Sequence, residues 1–345
     1  MKASEGLKVV VTGATGNVGT SLVRALEQEP RIASVRGLAR RRPALTLAKT
    51  EWAEVDLSLE GDEPRLAQYI EDADAVVHLA WRFQPTHDPV ETWRSNVLGA
   101  LRVFDAVAAA RVPILVCASS VGAYSPGPGN GAAVSESWPT HGWPGAAYTR
   151  EKAYLERVLD TFERDHPQTR VVRMRPCFLF KEESASEQRR IFAGRFFPGA
   201  LMRPELLPLV PELAGLRFQA LHTDDAADAY RRALVRDVRG AFNLAAEPVI
   251  DTPALSSLLG ARPVKVPTGA VRGVLSAAWK LHLAPASPDL LDAVLRIPLL
   301  STERARRELD WEPSMTSLEA LGAFLRGVRA GSGDDTAPLA GRRVG

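Results

Sequence analysis

Tyr148 and Lys152 open the stretch Tyr148-Thr149-Arg150-Glu151-Lys152, and at a spacing of four they share one face of a helix running to about Asp165. A free phenol has a pKa of ~10, so about one in a thousand is ionised at pH 7 and it is a poor base. A neighbouring cation changes this: lowering the pKa by ~2–3 units corresponds to about 3–4 kcal/mol. Lys152 can supply that charge. Tyr148 could then pass a proton to or from a substrate oxygen while hydride moves. Two further polar residues belong to the candidate set, Ser120 in the turn Ser119-Ser120-Val121-Gly122-Ala123-Tyr124 and Asn96 inside a helix. The plainer readings are a surface Tyr/Lys pair, a serine turn and a helical asparagine, each ordinary by itself.

Hydride chemistry needs a dinucleotide site, and the start of the chain has the pattern for one. The apolar run from Leu7 to Val11 suits a strand buried on both faces, and Leu22, Val23 and Leu26 recur at helical spacing. Between them lies Thr12-Gly13-Ala14-Thr15-Gly16-Asn17-Val18-Gly19. Gly13 allows a sharp turn, Gly16 lets backbone approach a ligand, and Gly19 allows close helix-to-sheet packing. The helix start then presents N–H groups to a pyrophosphate. The spacing is G-x-x-G-x-x-G, so the glycines alone are a weak sign; their place between strand and helix favours the dinucleotide reading.

The second strand, 32–38, leads into Ala39-Arg40-Arg41-Arg42-Pro43. An acidic residue about 20 positions past the glycine turn would bind a ribose 2′-hydroxyl, whereas arginine can pair with a 2′-phosphate. Ala39 in place of the acid, followed by arginines, points to NADP, with NAD the alternative and a solvated basic turn the bland reading. A third strand ends at Val55; Asp56 after it could accept from the adenine amino group or act as a cap. Residues 75–80 form a fourth strand whose small Ala80 lets the cofactor lie against backbone, at the strand end where ligands of open α/β sheets bind. His78 reads as a packed strand residue, since no partner stands at metal spacing, and no metal is assigned. Residues 90–111 carry Trp93, Val97, Leu101, Phe104 and Val107 at helical intervals. Strands at 114–118 and 170–175 follow, separated by a Pro/Gly-rich loop at 125–145 and the helix of Tyr148.

The chain has 345 residues, 46% apolar, enough for a large α/β core. Its 43 basic and 41 acidic residues are interspersed, so no field implies a nucleic-acid partner. No apolar run reaches the ~18 residues of a bilayer span. Only two cysteines, Cys117 and Cys177, and no apolar signal segment point to the cytoplasm.

In order and spacing, the TGATGNVG turn, the HLA strand end, Asn96 in SNVLGA, Ser120 in SSVGAY and the Tyr148/Lys152 pair resemble the extended short-chain dehydrogenases/reductases, the NAD-dependent epimerase/dehydratase family, over roughly residues 7–325. The resemblance implies a doubly wound parallel α/β sheet of Rossmann type with a smaller, discontinuous substrate lobe. The Rossmann part is expected at 1–175 plus 218–239 and the lobe at 176–217 plus 240–329, with an unordered tail at 330–345. By the same resemblance Ser120 hydrogen-bonds the substrate oxygen, Asn96 holds a water leading to Lys152, and Lys152 also holds the nicotinamide ribose. The expected cofactor contacts are Gly13, Thr15, Gly16, Asn17, Val18 and Gly19 in the turn, Arg40 and Arg41, and the strand-end residues Asp56, Leu57, Leu79, Ala80, Trp81, Ala118, Pro176, Cys177 and Phe178, with Tyr148 and Lys152. The expected substrate contacts are Arg82, Ser120, Val121, Tyr124 and Phe178.

Departures from the family narrow the chemistry. Nucleotide-sugar dehydratases carry an Asp-Glu pair where this chain has Val121 and Gly122, which disfavours elimination of water. Nucleotide-sugar epimerases have Asn and Gly where this chain has Phe178 and Lys181, and Phe218 aligns with their diphosphate-binding arginine. A less polar ketone, aldehyde or secondary alcohol is therefore the expected substrate. A nucleotide-sugar epimerase with tightly bound NAD(P), and a dinucleotide-sensing regulator without turnover, are the alternatives. The stretch 188–216, rich in Pro, Leu and Phe, reads as an apolar flap or as core. Apolar residues on more than one face of helices 90–111 and 146–165, including Tyr154, Leu155, Val158, Leu159 and Phe162, suggest a two-fold homodimer through those helices.

Overall fold

In a computed structural model that describes residues 6–192 and 209–341, seven parallel strands form the central sheet. They are β1 (Leu7–Thr12), β2 (Ile32–Ala39), β3 (Thr50–Glu54), β4 (Ala75–His78), β5 (Ile114–Ala118), β6 (Arg170–Pro176) and the strand Gly240–Leu244. Their spatial order is Gly240–Leu244, β6, β5, β4, β1, β2, β3. The order reverses between β1 and β4, which opens a crevice at the carboxyl ends of these two strands. The chain thus has the doubly wound α/β architecture. The strand Gly240–Leu244 corrects the expected boundary: it pairs with β6 from Gly240↔Val172 to Leu244↔Pro176, so residues 240–244 belong to the sheet and not to the lobe. Ala241, Phe242, Asn243 and Leu244 are all buried, and a strand covered on both faces carries no alternation by which to recognise it.

Strand alternation divides the core into two layers. Val9 and Val11 point to one face, packed with Leu22 and Leu26 of α1 (Asn17–Glu27) and with Ala226, Tyr230 and Ala233 of the helix Thr223–Val235. Val10, Val76 and Leu115 point to the other, against α2 (Glu63–Ile70), α4 (Gly99–Ala109) and α5 (Ala147–Asp165). This second layer corrects the expected dimer face: Leu155, Leu159 and Phe162 are buried inside the chain, with Phe162 5.9 Å from Phe104. The helix expected at 90–111 is three pieces: α3 (Pro89–Trp93), a π turn (Arg94–Leu98) and α4. Such a turn adds a residue and redirects the side chains inside it, here Asn96.

The segment 331–341 is a further correction. Expected to lack order, it folds back onto α1: Leu339 is fully buried and Asp334 accepts from Arg24 at 2.9 Å. No local periodicity marks it because its contacts are with elements far earlier in the chain. Of the proposed flap, residues 193–208 lie outside the described residues; 188–192 complete α6 (Ala185–Phe192), and the strand Leu209–Glu212 pairs with Arg262–Lys265. Among the described residues no helix is long and apolar enough to cross a membrane.

Candidate active site

The glycine turn is built as its residue types require. Gly13 has φ +69°, and a Cβ there would stand 2.7 Å from the Ala80 backbone. A Cβ on Gly19 would collide with the Gly13 carbonyl oxygen. Gly16 is different, because a Cβ there would meet nothing closer than Gly13 O at 3.4 Å; its open side faces the cleft. Gly16 is also the N-cap of α1, no side chain caps it, and no acid stands in the first turn. The amides of an 11-residue helix therefore aim into the cleft with the positive end of its dipole, a fit for a pyrophosphate. Asn17 is held on its outer side, donating to Leu179 O and accepting from Thr223 Oγ1 at 3.1 Å.

A cleft of about 980 Å³ runs from this turn across the sheet. Every expected cofactor contact lines it: the turn residues, Arg40, Arg41, Asp56, Leu57, Leu79, Ala80, Trp81, Ala118, Tyr148, Lys152, Pro176, Cys177 and Phe178. Arg82, Asn96, Ser120 and Val121 line it as well. Tyr124 does not, which corrects its assignment to the substrate. Its hydroxyl donates to Asn243 Oδ1 at 2.6 Å and accepts from Arg175 at 2.9 Å, and the residue is buried behind the turn that carries Ser120. Phe218 also stops short of the cleft and packs edge-on against Phe178, ring centroids 5.4 Å apart. Lys181 is buried, donating to Thr20 and Ser21 of α1, so it braces the helix. Asp56 accepts from Ser58 N and Oγ, as a cap does, while lining the cleft.

Ser120, Tyr148 and Lys152 come together at the ends of β4 and β5. Ser120 caps the short turn Val121–Ala123, its Oγ accepting from Gly122 N–H at 3.0 Å, and its hydroxyl is near enough to the Tyr148 phenol to lower its pKa. A side chain at 122 would drive into the Tyr148 ring, with a Cβ 2.7 Å from Cε1, so Gly122 is what lets the ring sit there. Trp81 meets that ring edge-on and Phe83 lies 4.7 Å from it. Burial pushes the phenol up to about 12; the Ser120 hydroxyl opposes this and the Glu151 charge adds to it. Lys152 Nζ donates to Ala118 O at 2.7 Å and stands 3.5 Å over the Trp81 ring. Burial pulls this ammonium down to about 7, against the pull of Glu151 and Glu156. The protein alone thus holds the phenol neutral.

Asn96 is engaged differently from the expected water relay. Its amide donates to Arg82 O at 2.8 Å and to Glu151 Oε2 at 2.7 Å, and its oxygen accepts from Arg82 N–H at 2.6 Å. With both donors used, its role among these residues is to fix the loop after β4. Cys177 is buried, and burial pushes its thiol up, so it is no thiolate nucleophile. His78 accepts or donates at Thr12 Oγ1 and packs on Phe104, a strand residue held neutral by burial.

Several cleft residues are not among those expected from the sequence. Phe83 lies two past Trp81 and was within reach of the strand-end argument. Leu290, Leu291 and Val294 of the helix Pro288–Val294, and Ala337 and Pro338, reach the cleft only through the tertiary fold.

The sheet, the glycine turn and the Ser/Tyr/Lys group define a dinucleotide-binding enzyme fold. The NAD dependent epimerase/dehydratase family matches residues 9–245, and the chain belongs to that family. An uncharacterized protein of Mycobacterium tuberculosis (strain ATCC 25618 / H37Rv) is 25% identical over 330 residues, covering 92% of this chain and 83% of the relative. The fold is similar to UDP-glucose 4-epimerase of Thermus thermophilus, solved with NAD: TM-score 0.69, 19% identity, 94% of this chain and 99% of that one. It is similar too to UDP-glucuronic acid 4-epimerase from Bacillus cereus, solved as a tyrosine-to-phenylalanine mutant with NAD: TM-score 0.70, 14% identity, 94% and 99% covered.

Proposed function

We propose that this protein is an NADP(H)-dependent oxidoreductase acting on the carbonyl or secondary alcohol of a small, relatively apolar substrate. The observation that carries this reading is the Tyr148 phenol, beside Ser120, in a cleft walled by Phe83, Phe178, Phe180, Phe192, Leu290 and Val294. When bound, the dinucleotide supplies or accepts the hydride. Tyr148 gives its proton to the substrate oxygen in reduction and takes one in oxidation, while Ser120 donates a hydrogen bond to the same oxygen. Lys152 supplies positive charge near the phenol, and the aromatic walls exclude water.

The test against the epimerase reading is binding and stoichiometry. Uridine or thymidine diphosphate-sugars at millimolar concentration are expected to give no melting shift, because Phe178 stands where a polar contact would be. A carbonyl panel is expected to consume NADPH one for one. A clear shift with any nucleotide-sugar, without net NADPH loss, would make the protein an epimerase.

The choice of NADP rests on this chain's own loop; the two solved epimerases named above are complexes with NAD. Arg40 and Arg41 are exposed, line the cleft and have no side-chain partner among the described residues. A charge-assisted bond to a 2′-phosphate corresponds to roughly 10- to 150-fold tighter binding of NADPH than NADH, and exposure places the ratio near the low end. Replacing both by alanine should weaken NADPH and spare NADH in a fluorescence titration. Equal loss for both cofactors would refute the assignment.

A homodimer through helices 90–111 and 146–165 is also part of this reading, on a smaller surface than expected. Val90, Trp93 and Tyr154 remain exposed, with Trp93 and Tyr154 rings 4.9 Å apart. Light scattering should give about twice the 37.4 kDa chain mass; the single mass would exclude it.

A further inference from the structure

The cofactor reading above leaves the segment 331–341 unexplained, although it touches two walls of the cleft. Thr336, 2% exposed, donates through Oγ1 to Thr15 O at 2.8 Å. The same Thr15–Gly16 peptide is held at its other end, because Gly16 N–H donates to Gly13 O at 3.1 Å. A peptide unit is planar, so fixing its carbonyl and its N–H fixes the plane. Gly16 is the N-cap of α1, and that plane sets where the first helical amides point.

The segment is anchored so that it can do this. Asp334 takes both terminal nitrogens of Arg24 on α1, each at 2.9 Å. Arg190 on α6 donates to Pro338 O at 2.5 Å and to Ala340 O at 2.9 Å. Leu339 is fully buried between these ties, and Ala337 and Pro338 form part of the cleft wall. One short loop therefore joins the phosphate-facing helix to α6, which also lines the cleft.

We infer that residues 334–339 are part of the dinucleotide site: Thr336 is a positioning residue that clamps the Thr15–Gly16 peptide for pyrophosphate binding, and Ala337–Pro338 complete the wall beside it. The inference rests on the dinucleotide reading, and two readouts on the full chain separate the two. Thr336→Val keeps the shape and removes the donor. It should weaken NADPH binding by about 3- to 10-fold, and without any ligand it should speed hydrogen exchange of the amides at 15–19. Leu339→Asp, which releases the anchor, should weaken NADPH more than tenfold; if that variant does not fold, Thr336→Val alone decides. Unchanged affinity and unchanged exchange in Thr336→Val would overturn the clamp and leave the cofactor reading intact. No binding of NADPH or NADH by the unmodified chain would overturn the cofactor reading, and the binding role of the clamp with it.

Discussion

Tyr148→Phe is expected to lower turnover by about 10²–10⁴-fold while changing NADPH affinity by less than about twofold, since it removes the proton donor and keeps the ring between Trp81 and Phe83. Steady-state rates beside a fluorescence titration measure the two separately; retained turnover would remove Tyr148 from the chemistry. The pH dependence has a definite sign. Burial holds the phenol up at about 12, so it is protonated across the working range and ready to donate. The phenol itself therefore adds no pH dependence to reduction between about pH 6 and pH 8, where Lys152, pulled down to about 7, is the group that titrates, whereas alcohol oxidation, which needs the phenolate, should rise with pH.

The second large effect concerns stability. Glu156 is 1% exposed and accepts four hydrogen bonds from side chains: Ser119 Oγ at 2.6 Å, Arg175 Nε and Nη2 at 2.8 Å each, and Arg173 Nη1 at 3.0 Å. Glu156→Ala leaves the buried Arg175 without a carboxylate and takes one of three from Arg173, whose others are Asp160 and Glu163. Removing one member of a buried ion pair costs about 3–5 kcal/mol, because the remaining charge stays desolvated. Urea unfolding should show a loss of that size, and a change under about 1 kcal/mol would mean that the guanidiniums find water. Activity should fall too, because Glu156 anchors the turn of Ser120 through Ser119.

The same carboxylate predicts acid sensitivity. Burial pushes Glu156 up, but the bonds and charge of Arg175, the Ser119 hydroxyl and Arg173 outweigh it and hold the carboxyl at about 2, from an ordinary 4.5. A depressed carboxyl stabilises the fold fully above its unfolded value and loses that contribution as pH falls through the folded value. The contribution, about 3 kcal/mol, should therefore disappear between pH 4.5 and about pH 2. Glu156→Gln, which has nothing to titrate there, should show a shallower loss over that window.

Chemistry encoded in short spacing was legible in the sequence. A buried apolar strand, a turn of three glycines and a helix without an acid in its first turn are local, and their physical reasons are local: a positive φ at Gly13, a collision at Gly19, an open side at Gly16. Tyr148 and Lys152 share a helix face by arithmetic alone. Ser120 and Asn96 came from order along the chain, and the fold does bring them to the same cleft.

What the sequence could not show depends on which distant element lies alongside. Apolar residues on helix 147–165 meet a second layer of core, so Leu155 and Phe162 are interior although a helical wheel cannot say against what. Tyr124 follows Ser120 by four residues, but a 3-10 turn and the partners Arg175 and Asn243 point its hydroxyl away from the cleft. Glu156 looks like any helix glutamate until β6 places two arginines beside it. Residues 331–341 have no periodic pattern at all, because they are ordered by hydrogen bonds to Arg24, Thr15 and Arg190 and by one buried leucine. Side-chain spacing is a property of the local backbone, whereas a partner for a buried charge or a short polar loop exists only once the chain has closed on itself.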